Sequence, residues 1–471
     1  MYAAISGVYL KSRVALVEQP FKEHLGSSER IYNHTLMQAA WLFQQLSSGA
    51  QLGIYTQNPD LEETSYPLIR LDEVKSWAEE VVSTIKEQNS LAILASLGVD
   101  VINSGGEFCR LPYQAFMVND RRLRSRAYLI ATGSHPIVPD IQGIQEIGYL
   151  TSADIWQQDN LMSLANNLAV IGASLKGIEL AQSLARLGKN VSLIVEDERI
   201  LPQEDPEASM LIQAQLEGEG VQIFTQSSLT QVRSIGGKKW LQAGNIAIET
   251  DEIILAMGQK PNVEGLNLEG VGVKLRRQGI QVNEKLQTTN SQIYACGDVI
   301  GGYQLTHIAQ YEAKIALKNA LFFPLFTVDY HTIPWVLFSD PSLARVGMSE
   351  AQARGRYGED VLVIKQYFKS IPQAHIFGET TGFCKLVLRG NGEIVGAHIV
   401  GLDAQEFIST IALAMKKKIK LGAIADLPFP SPSLSEIVQK TAIKWRRDRL
   451  KQNKRLQNLL ASFFNLRRNW G

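Results

Sequence analysis

Short apolar runs alternate with helical patterns along most of the chain. Residues 14–17 form one such run, which Glu18 closes; residues 168–171 form a second and residues 191–195 a third, closed by Glu196. Runs of this length, bounded by turn residues, are typical of buried strands in a parallel sheet. The helical pattern between the second and third runs predicts a β-α-β unit and therefore an α/β fold.

The turn after the second run carries the strongest local motif. Residues 168–181 read LAVIGASLKGIELA, which places Gly172, Ser174 and Gly177 in a G-x-S-x-x-G pattern at the start of a helix. The first glycine suits a tight turn and the third allows close packing of helix and strand. A small middle residue lets the backbone approach a pyrophosphate, and Ser adds a hydroxyl donor. Glu196, about 20 residues on, suits the ribose 2′-hydroxyl of a dinucleotide; the alternative is an α/β turn with purely structural glycines.

The first apolar run matches the second strand of another copy of this unit, of which the chain contains only the part that begins in the first helix. Residues 2–10 fit its first helix, and Glu18 corresponds to Glu196. Two further apolar strands, within 127–133 and 293–299, end in glycine turns, the second before a helix that we expect to begin near Thr306. The candidate ligand-binding positions in these turns are Ala131, Thr132, Gly133, Gly297 and Asp298. Two dinucleotide units in one chain indicate FAD together with NAD(P).

Composition narrows the class of protein further. A chain of 471 residues predicts two to four domains, and 47 basic against 47 acidic residues argue against a nucleic-acid-binding protein. We find neither a transmembrane-length apolar run nor a signal peptide. Three widely separated cysteines without a C-x-x-C pair favour a reducing, cytoplasmic compartment. The histidines show no metal-ligand spacing, so we predict no metal.

Taken together, the motifs resemble those of the class I pyridine nucleotide-disulfide oxidoreductases, the family of lipoamide dehydrogenase, glutathione reductase and mercuric reductase. The resemblance covers about residues 1–445 and implies two Rossmann-like domains, the FAD domain being split by an inserted NAD domain, followed by a C-terminal α+β domain that forms a homodimer. The motifs are ALVE (15–18), IATGSHPIVPDIQG (130–143), VIGASLKGIELA (170–181), LAMGQKPN (255–262), ACGDV (295–299), IPWVLFSDPSLARVGMSE (333–350) and GEIVGAHIVG (392–401).

The resemblance also implies domain boundaries and residue roles. Asp298 would bind the FAD ribityl chain, Glu18 the adenosine ribose, and Glu179 would lie where nicotinamide meets the flavin. Gly258, in the LAMGQKPN stretch, joins the cofactor-binding set. Glu196 favours NADH over NADPH, although Arg199 lies near enough in sequence to weaken this preference. The expected domains are FAD, first part (1–148), NAD(P) (149–262), FAD, second part (263–328), dimerisation (329–445) and a basic amphipathic tail (446–471).

Two departures concern the start of the chain and the redox centre. The family's first FAD strand and its glycine turn would precede residue 1, so we expect an earlier start codon or a truncated chain, and a true truncation to bind FAD poorly. The family's redox pair, C-x-x-x-x-C, should follow ALVE, but residues 24–38, HLGSSERIYNHTLMQ, contain no cysteine. The lysine that normally follows the pair is also missing. No thiolate is therefore available there to accept electrons.

A third departure removes the family's proton shuttle. Its C-terminal His-Pro…Glu motif reads SPSLSE here, with Ser431 in place of the histidine, while Pro432 and Glu436 are kept. Serine cannot shuttle protons near neutral pH. His34 is an alternative acid/base, although a single histidine in a polar segment is usually a surface residue. Glu179 and Glu436 remain as candidate catalytic residues. We therefore expect neither disulfide reduction nor mercuric ion reduction.

The tail is a separate basic module. Residues 444–468 hold nine basic residues and one acid, and apolar residues recur at helical spacing from Leu456 to Phe464. This pattern suits an anionic membrane surface, which would make the protein a peripheral membrane one; docking on its own dimer is equally open, and RNA binding is less favoured.

Three functions remain open from the sequence. The first is a flavoenzyme that passes electrons from NAD(P)H to a small non-thiol acceptor such as a quinone. The second is an inactive homodimer that serves as a binding scaffold, and the third is a soluble transhydrogenase-like activity. Retention of Glu179, the Ala131–Gly133 stretch and the Gly297-Asp298 pair favours the first.

Overall fold

The structure is a computed structural model of the chain, and it describes residues 1–19, 28–49, 69–88, 90–157, 161, 163–468 and 470. Residues 24–27 of the cysteine-free segment 24–38 lie outside the described residues, as do residues 469 and 471 of the tail.

The described residues contain fourteen α-helices and twenty-four strands. The helices are α1 (Tyr2–Tyr9), α2 (Ser28–Ser48), α3 (Leu71–Gln88), α4 (Leu91–Ser96), α5 (Ile144–Ile147), α6 (Leu175–Arg186), α7 (Pro206–Gly218), α8 (Thr306–Leu321), α9 (Glu350–Tyr357), α10 (Pro372–Phe377), α11 (Ala404–Lys416), α12 (Leu421–Asp426), α13 (Glu436–Gln452) and α14 (Lys454–Arg468). The strands are β1 (Ala15–Val17), β2 (Asp100–Ile102), β3 (Glu107–Cys109), β4 (Ala115–Val118), β5 (Arg121–Leu123), β6 (Tyr128–Ile130), β7 (Ser134–Pro136), β8 (Leu150–Thr151), β9 (Asn167–Ile171), β10 (Asn190–Ile194), β11 (Gln222–Phe224), β12 (Leu229–Ile235), β13 (Lys238–Ala243), β14 (Ile246–Thr250), β15 (Glu252–Leu255), β16 (Gln259–Pro261), β17 (Leu275–Arg276), β18 (Gly279–Ile280), β19 (Ile293–Ala295), β20 (Trp335–Leu337), β21 (Ser342–Gly347), β22 (Val361–Tyr367), β23 (Phe383–Arg389) and β24 (Ile394–Gly401).

The chain divides into two compact units, each of which is built from two stretches. Unit 1 comprises Met1–Glu196 and Gly220–Val328, and unit 2 comprises Asp197–Glu219 and Asp329–Gly471. The segment 197–219, which carries α7, therefore groups with the C-terminal part of the chain.

A five-stranded parallel sheet forms the centre of one half of unit 1. Its strand order is β11-β10-β9-β15-β8, and every neighbouring pair is parallel. Two of the three interior strands, β9 and β15, are almost wholly buried, because a parallel sheet is covered on both faces. The predicted β-α-β unit is β9-α6-β10, in which α6 packs against β10.

The other half of unit 1 holds the remaining predicted strand ends. β1 pairs with β2 and β6 pairs with β19, both in parallel. The predicted helices over residues 2–10 and from Thr306 are α1 and α8, and these two helices pack against each other. Smaller antiparallel sheets, β3-β4-β5, β12-β13-β14, β7-β16 and β17-β18, complete the unit.

Unit 2 is built on one antiparallel sheet. Its order is β20-β21-β24-β23-β22, and α11 and α13 pack against it. Leu386, Ile399, Ile408 and Ile437 from these strands and helices are buried in one apolar core. Helices segregated against an antiparallel sheet define an α+β domain, as predicted.

A buried cluster of charges ties α7 to this sheet within unit 2. The Nζ atom of Lys385, on β23, lies 2.8 Å from Oδ2 of Asp205 and 3.2 Å from Oε2 of Glu350. Asp205 also caps α7, because its carboxylate accepts from the backbone amides of Glu207 and Ala208. Arg345 pairs in the same way with Glu204, at 2.7 Å. Lys385, which is buried, and Arg345, which is partly buried, therefore each have a carboxylate partner from the 197–219 segment.

His398, on β24, is buried beside this charge cluster. Burial lowers the pKa of His398 to about 4, although the nearby Asp205 carboxylate acts in the opposite direction. The imidazole is therefore neutral at physiological pH.

Candidate functional site

The glycine turn after β9 has the geometry of a dinucleotide cradle. Gly172 has a φ of +101°, and a Cβ placed on it would lie 2.8 Å from the carbonyl oxygen of Ala256. A Cβ on Gly177 would lie 2.3 Å from the carbonyl oxygen of Gly172. Both positions therefore require glycine, the first for the turn and the second for the close approach of α6 to β9.

Ser174 begins the helix that leaves this turn. It is the N-cap of α6, and its hydroxyl oxygen accepts a hydrogen bond from the Gly177 amide at 3.2 Å. A hydroxyl that accepts one hydrogen bond can still donate another. The N-terminal end of a twelve-residue helix thus faces the turn, as binding of a pyrophosphate requires.

Two more predicted positions lie at the carboxyl edge of the same sheet. Glu196 is exposed just beyond the end of β10. Gly258 follows β15 with a φ of +107°, and its carbonyl accepts from the Ile137 amide at 3.0 Å. Since β9, β10 and β15 are parallel neighbours, their three end turns share one edge of the sheet, where open α/β sheets bind ligands.

The predicted FAD-binding stretches also meet in the structure. β6 and β19 are paired, so the turns Ala131–Gly133 and Gly297-Asp298 lie side by side. The hydroxyl of Ser134 donates to Oδ2 of Asp298 at 2.8 Å. The hydroxyl of Thr132 donates to the carbonyl of Asn262 at 2.6 Å, and the Asn262 side chain donates back to the Thr132 carbonyl.

The Gly297 turn is held by α8. The Gly297 amide donates to the buried carboxylate of Glu312 at 2.7 Å, and Thr306, the first residue of α8, is exposed. Glu18 is exposed at the end of β1, and its amide donates to the Ile102 carbonyl at 2.9 Å. Among the described residues, no hydrogen bond or ion pair joins Glu18 to the Asp298 turn.

A helix from the cysteine-free segment packs against the helix that carries Glu179. Residues 28–38 form the first half of α2, and α2 packs along α6, on which Glu179 is buried. The Nζ atom of Lys176, one turn before Glu179, lies 2.6 Å from Oε2 of Glu29. The other carboxylate oxygen of Glu29 accepts from the Ser152 hydroxyl. Sequence reasoning missed this ion pair because the two residues share no local motif.

Further contacts of α2 fix its orientation in unit 1. The indole N–H of Trp156 donates to Oδ1 of Asn33 at 2.8 Å, and the Tyr32 and Trp156 rings lie 5.0 Å apart. His34 is partly buried rather than a surface residue. Burial, assisted by Arg30, lowers the pKa of His34 to about 4, so its imidazole is neutral at physiological pH.

Two of the three cysteines, Cys296 and Cys384, are poor candidates for thiol chemistry. None of them is in a disulfide within the described residues. Burial raises the pKa of the Cys384 thiol to about 12, and burial with the nearby Glu312 raises that of Cys296 equally. Both groups are protonated thiols at neutral pH, whereas the thiolate is the reactive form.

The SPSLSE stretch in unit 2 is held together locally. Glu436, the first residue of α13, is buried, and its Oε1 accepts from the backbone amide of Ser433 at 3.0 Å. Its other oxygen lies 3.8 Å from Nζ of Lys440. The retained glutamate therefore fixes the turn that follows Ser431 and Pro432, and it belongs to a different compact unit from Glu179.

The described residues hold neither a metal-binding cluster nor a membrane-spanning helix. They contain no group of three or more His, Cys, Asp or Glu side chains that could hold a metal ion. They also contain no helix that is long and apolar enough to cross a membrane.

Comparison with known proteins establishes the family. Residues 2–313 match the family model "Pyridine nucleotide-disulphide oxidoreductase", and residues 333–442 match the model of its dimerisation domain. The chain belongs to this family, whose members use FAD and NAD(P)H. The second match supports a homodimer.

Individual relatives agree with this assignment. The chain is 33% identical to a mercuric reductase of Staphylococcus aureus over 410 residues, 86% of this chain and 74% of that protein. It is 29% identical to a dihydrolipoyl dehydrogenase of Geobacillus stearothermophilus over 462 residues, 93% and 92% of the two chains.

Solved structures confirm the predicted architecture. The HOCl-induced flavoprotein disulfide reductase RclA from Escherichia coli matches with a TM-score of 0.79 and 25% identity, covering 93% of this chain and 96% of that one. LpdA from Mycobacterium tuberculosis matches with a TM-score of 0.81 at 22% identity, covering 94% and 97%, and this likeness concerns the fold alone.

Proposed function

We propose that this protein oxidises NAD(P)H with FAD as cofactor and passes the electrons to a small acceptor other than a disulfide, such as a quinone. The net reaction is NADH + H⁺ + quinone → NAD⁺ + quinol, a transfer of two electrons. One observation carries the proposal: α2, the helix from the segment that should supply the redox thiols, packs on the Glu179 helix through Glu29 and Lys176 instead of cysteines.

The residues of unit 1 fit both cofactors. The cradle at Gly172 and Gly177 is open only because neither residue has a Cβ, and the α6 N-terminus at Ser174 supplies amides for a pyrophosphate. Glu196 is our proposed acceptor for the ribose 2′-hydroxyl of NADH, with Gly258 at the same sheet edge.

For FAD, the proposed contacts lie on the second sheet edge of unit 1. Asp298 presents a carboxylate that is already oriented by the Ser134 hydroxyl, and Glu18 presents a second carboxylate at the end of β1. The proposed set also includes Ala131, Thr132, Gly133, Gly297 and Thr306. When bound, the two cofactors supply the hydride and electron transfer, and the chain's task is to hold and orient them.

The proposed roles of the two candidate catalytic glutamates differ. Glu179 is buried on the helix that begins at the cradle, so we assign it to orienting the nicotinamide. Glu436 bonds to its own loop, so we assign it a positioning role for residues 431–436. The proposed domain boundaries are those predicted from the sequence, and the proposed location is the cytoplasm, with peripheral attachment to a membrane.

Steady-state NADH oxidation with a soluble quinone, ferricyanide, lipoamide and mercuric ion in parallel tests this function. We expect turnover with the first two acceptors and none with the last two. Glu179→Gln should lower kcat at least tenfold, whereas Glu249→Gln, which changes an exposed strand residue, should not. Turnover of lipoamide would refute the non-disulfide assignment.

The same preparation distinguishes the two alternatives. A bound flavin whose absorbance NADH cannot bleach would favour the inactive scaffold. Reduction of a nicotinamide analogue by NADH, without quinone turnover, would favour a transhydrogenase.

A further inference from the structure

Helix α14 exposes a continuous apolar face. At 100° per residue, Leu456, Leu459, Leu460, Phe463, Phe464 and Leu466 fall within an arc of about 160°. Their side chains are between 38% and 67% exposed, and α14 buries none of its residues against the described part of unit 2. Within the part of the chain that the structure describes, α14 packs mainly against α13. A monomeric soluble protein rarely leaves such a face uncovered without a partner.

All of the charged side chains on α14 are basic. Lys454 and Arg455 lie at the start of α14, Arg467 and Arg468 lie at its end, and the helix contains no acidic residue. The last turns of α13 add further cations and one acid, Asp448. Of the basic residues from 446 onward, Arg446 pairs with Asp426 at 2.6 Å. Among the described residues, no carboxylate lies within ion-pair distance of the others, which are Arg447, Arg449, Lys451, Lys454, Arg455, Arg467 and Arg468.

We propose that residues 446–468 dock on the surface of an anionic lipid bilayer, with the apolar face of α14 in the interface and the cations at the headgroups. Leucine and phenylalanine on one face, with basic residues beside them, are the composition of an interfacial helix. A helix of fifteen residues is about 22 Å long, shorter than the hydrocarbon core of about 30 Å, so it lies on the surface and does not span it.

Charge also argues against the most obvious competitor, a second copy of α14. In a two-fold contact, the same patch would face itself, and four cations on each helix would meet without one carboxylate from either. Long basic side chains at the ends can instead reach lipid phosphates while their stems stay on the apolar face.

The test is co-sedimentation of the full-length protein with vesicles of phosphatidylcholine alone or with one quarter phosphatidylglycerol. We expect binding to the anionic vesicles that weakens as salt rises. Each juxtamembrane cation contributes about fivefold to partitioning, so Arg467→Glu with Arg468→Glu should reduce binding more than tenfold. Phe463→Ser with Phe464→Ser should abolish it at any salt concentration.

Matched variants elsewhere on the surface distinguish binding through α14 from nonspecific hydrophobic adsorption and from an effect of net charge. Trp77→Ser removes an exposed aromatic from α3, and Arg276→Glu with Arg277→Glu changes the net charge by the same amount as the α14 pair. Neither should alter binding. The fluorescence of Trp470, which is 85% exposed, should shift to the blue on anionic vesicles, and the shift should vanish in Trp470→Phe.

Equal binding to both vesicle types, or equal loss in the control variants, would overturn the proposal. A dimer that dissociates in the Phe463→Ser, Phe464→Ser variant without lipid would show that a second copy covers the face, and would overturn it as well. Since vesicle binding requires neither NADH nor an electron acceptor, its failure is distinct from failure of the proposed reaction.

Discussion

The two partners of the ion pair between α2 and α6, Glu29 and Lys176, should differ greatly in how much their removal destabilises α2. The Glu29 side chain is 9% exposed, whereas that of Lys176 is 30% exposed. Lys176→Met leaves a buried carboxylate with the Ser152 hydroxyl as its hydrogen-bond donor, and an uncompensated buried charge costs about 3 kcal/mol. Glu29→Gln keeps an acceptor for Ser152 and leaves a lysine that can reach water, which costs about 1 kcal/mol.

Hydrogen exchange of the α2 amides measures these costs, because α2 can open locally without unfolding of the whole chain. A loss of about 3 kcal/mol corresponds to exchange that is about 150-fold faster, and a loss of about 1 kcal/mol to about fivefold. The double variant should exchange more slowly than Lys176→Met alone, since it no longer contains the buried charge.

The exposed pair Lys260 and Glu264 provides a matched control in the same unit. Its atoms are 2.8 Å apart, but both side chains are about 60% exposed, so Lys260→Met should leave exchange nearly unchanged. An effect of Glu29→Gln as large as that of Lys176→Met, or no effect of either, would refute the reasoning from burial.

Three further predictions follow from the site and the buried groups. Gly177→Ala should lower the melting temperature by several degrees and weaken NADH binding about tenfold in calorimetry, because its Cβ would lie 2.3 Å from a backbone oxygen. Gly218→Ala is the control and should be neutral, since a Cβ there meets nothing within 4 Å. Unchanged NADH affinity in Gly177→Ala would contradict the assignment of this turn as a dinucleotide cradle. Glu196→Ala should lower the NADH over NADPH ratio of kcat/KM about tenfold, and an unchanged ratio would reject the ribose contact. Burial holds the pKa values of His34 and His398 near 4, so the unfolded chain binds more protons than the folded chain below pH 6.5. The free energy of unfolding should therefore fall between pH 6.5 and 4 by up to about 3 kcal/mol for each histidine. The melting temperature of His34→Gln and of His398→Gln should depend less on pH over this range, and a wild-type melting temperature that does not change with pH would contradict the assignment.

The strand ends and glycine turns were predictable from the sequence because their requirements are local. A glycine at positive φ, an apolar run of four or five residues and the N-cap serine each depend on a few neighbouring residues. The predicted strand over residues 168–171 became β9, the helix near Thr306 became α8, and the apolar face of the tail lies on α14. Single elements of this kind carry their signal within one turn or one strand.

The contacts that join distant elements could not be predicted in this way. Glu29 and Lys176 are 147 residues apart, and neither position has a pattern that marks it as one partner of a buried pair. The burial of His34 likewise depends on how α2 packs, whereas its own segment is polar. The assignment of residues 197–219 to unit 2 depends on charges that are spread over three elements.

That assignment has a consequence for how the protein is made. Asp205 is synthesised 180 residues before Lys385. The remainder of unit 1 is therefore made before Lys385 and Arg345, the ion-pair partners of the 197–219 segment, become available. The stretch that matches the dimerisation-domain model, residues 333–442, would by itself keep the Lys385–Glu350 pair but lose the carboxylates of Asp205 and Glu204. We therefore expect an isolated C-terminal fragment to be less stable alone than with residues 197–219 added as a separate peptide.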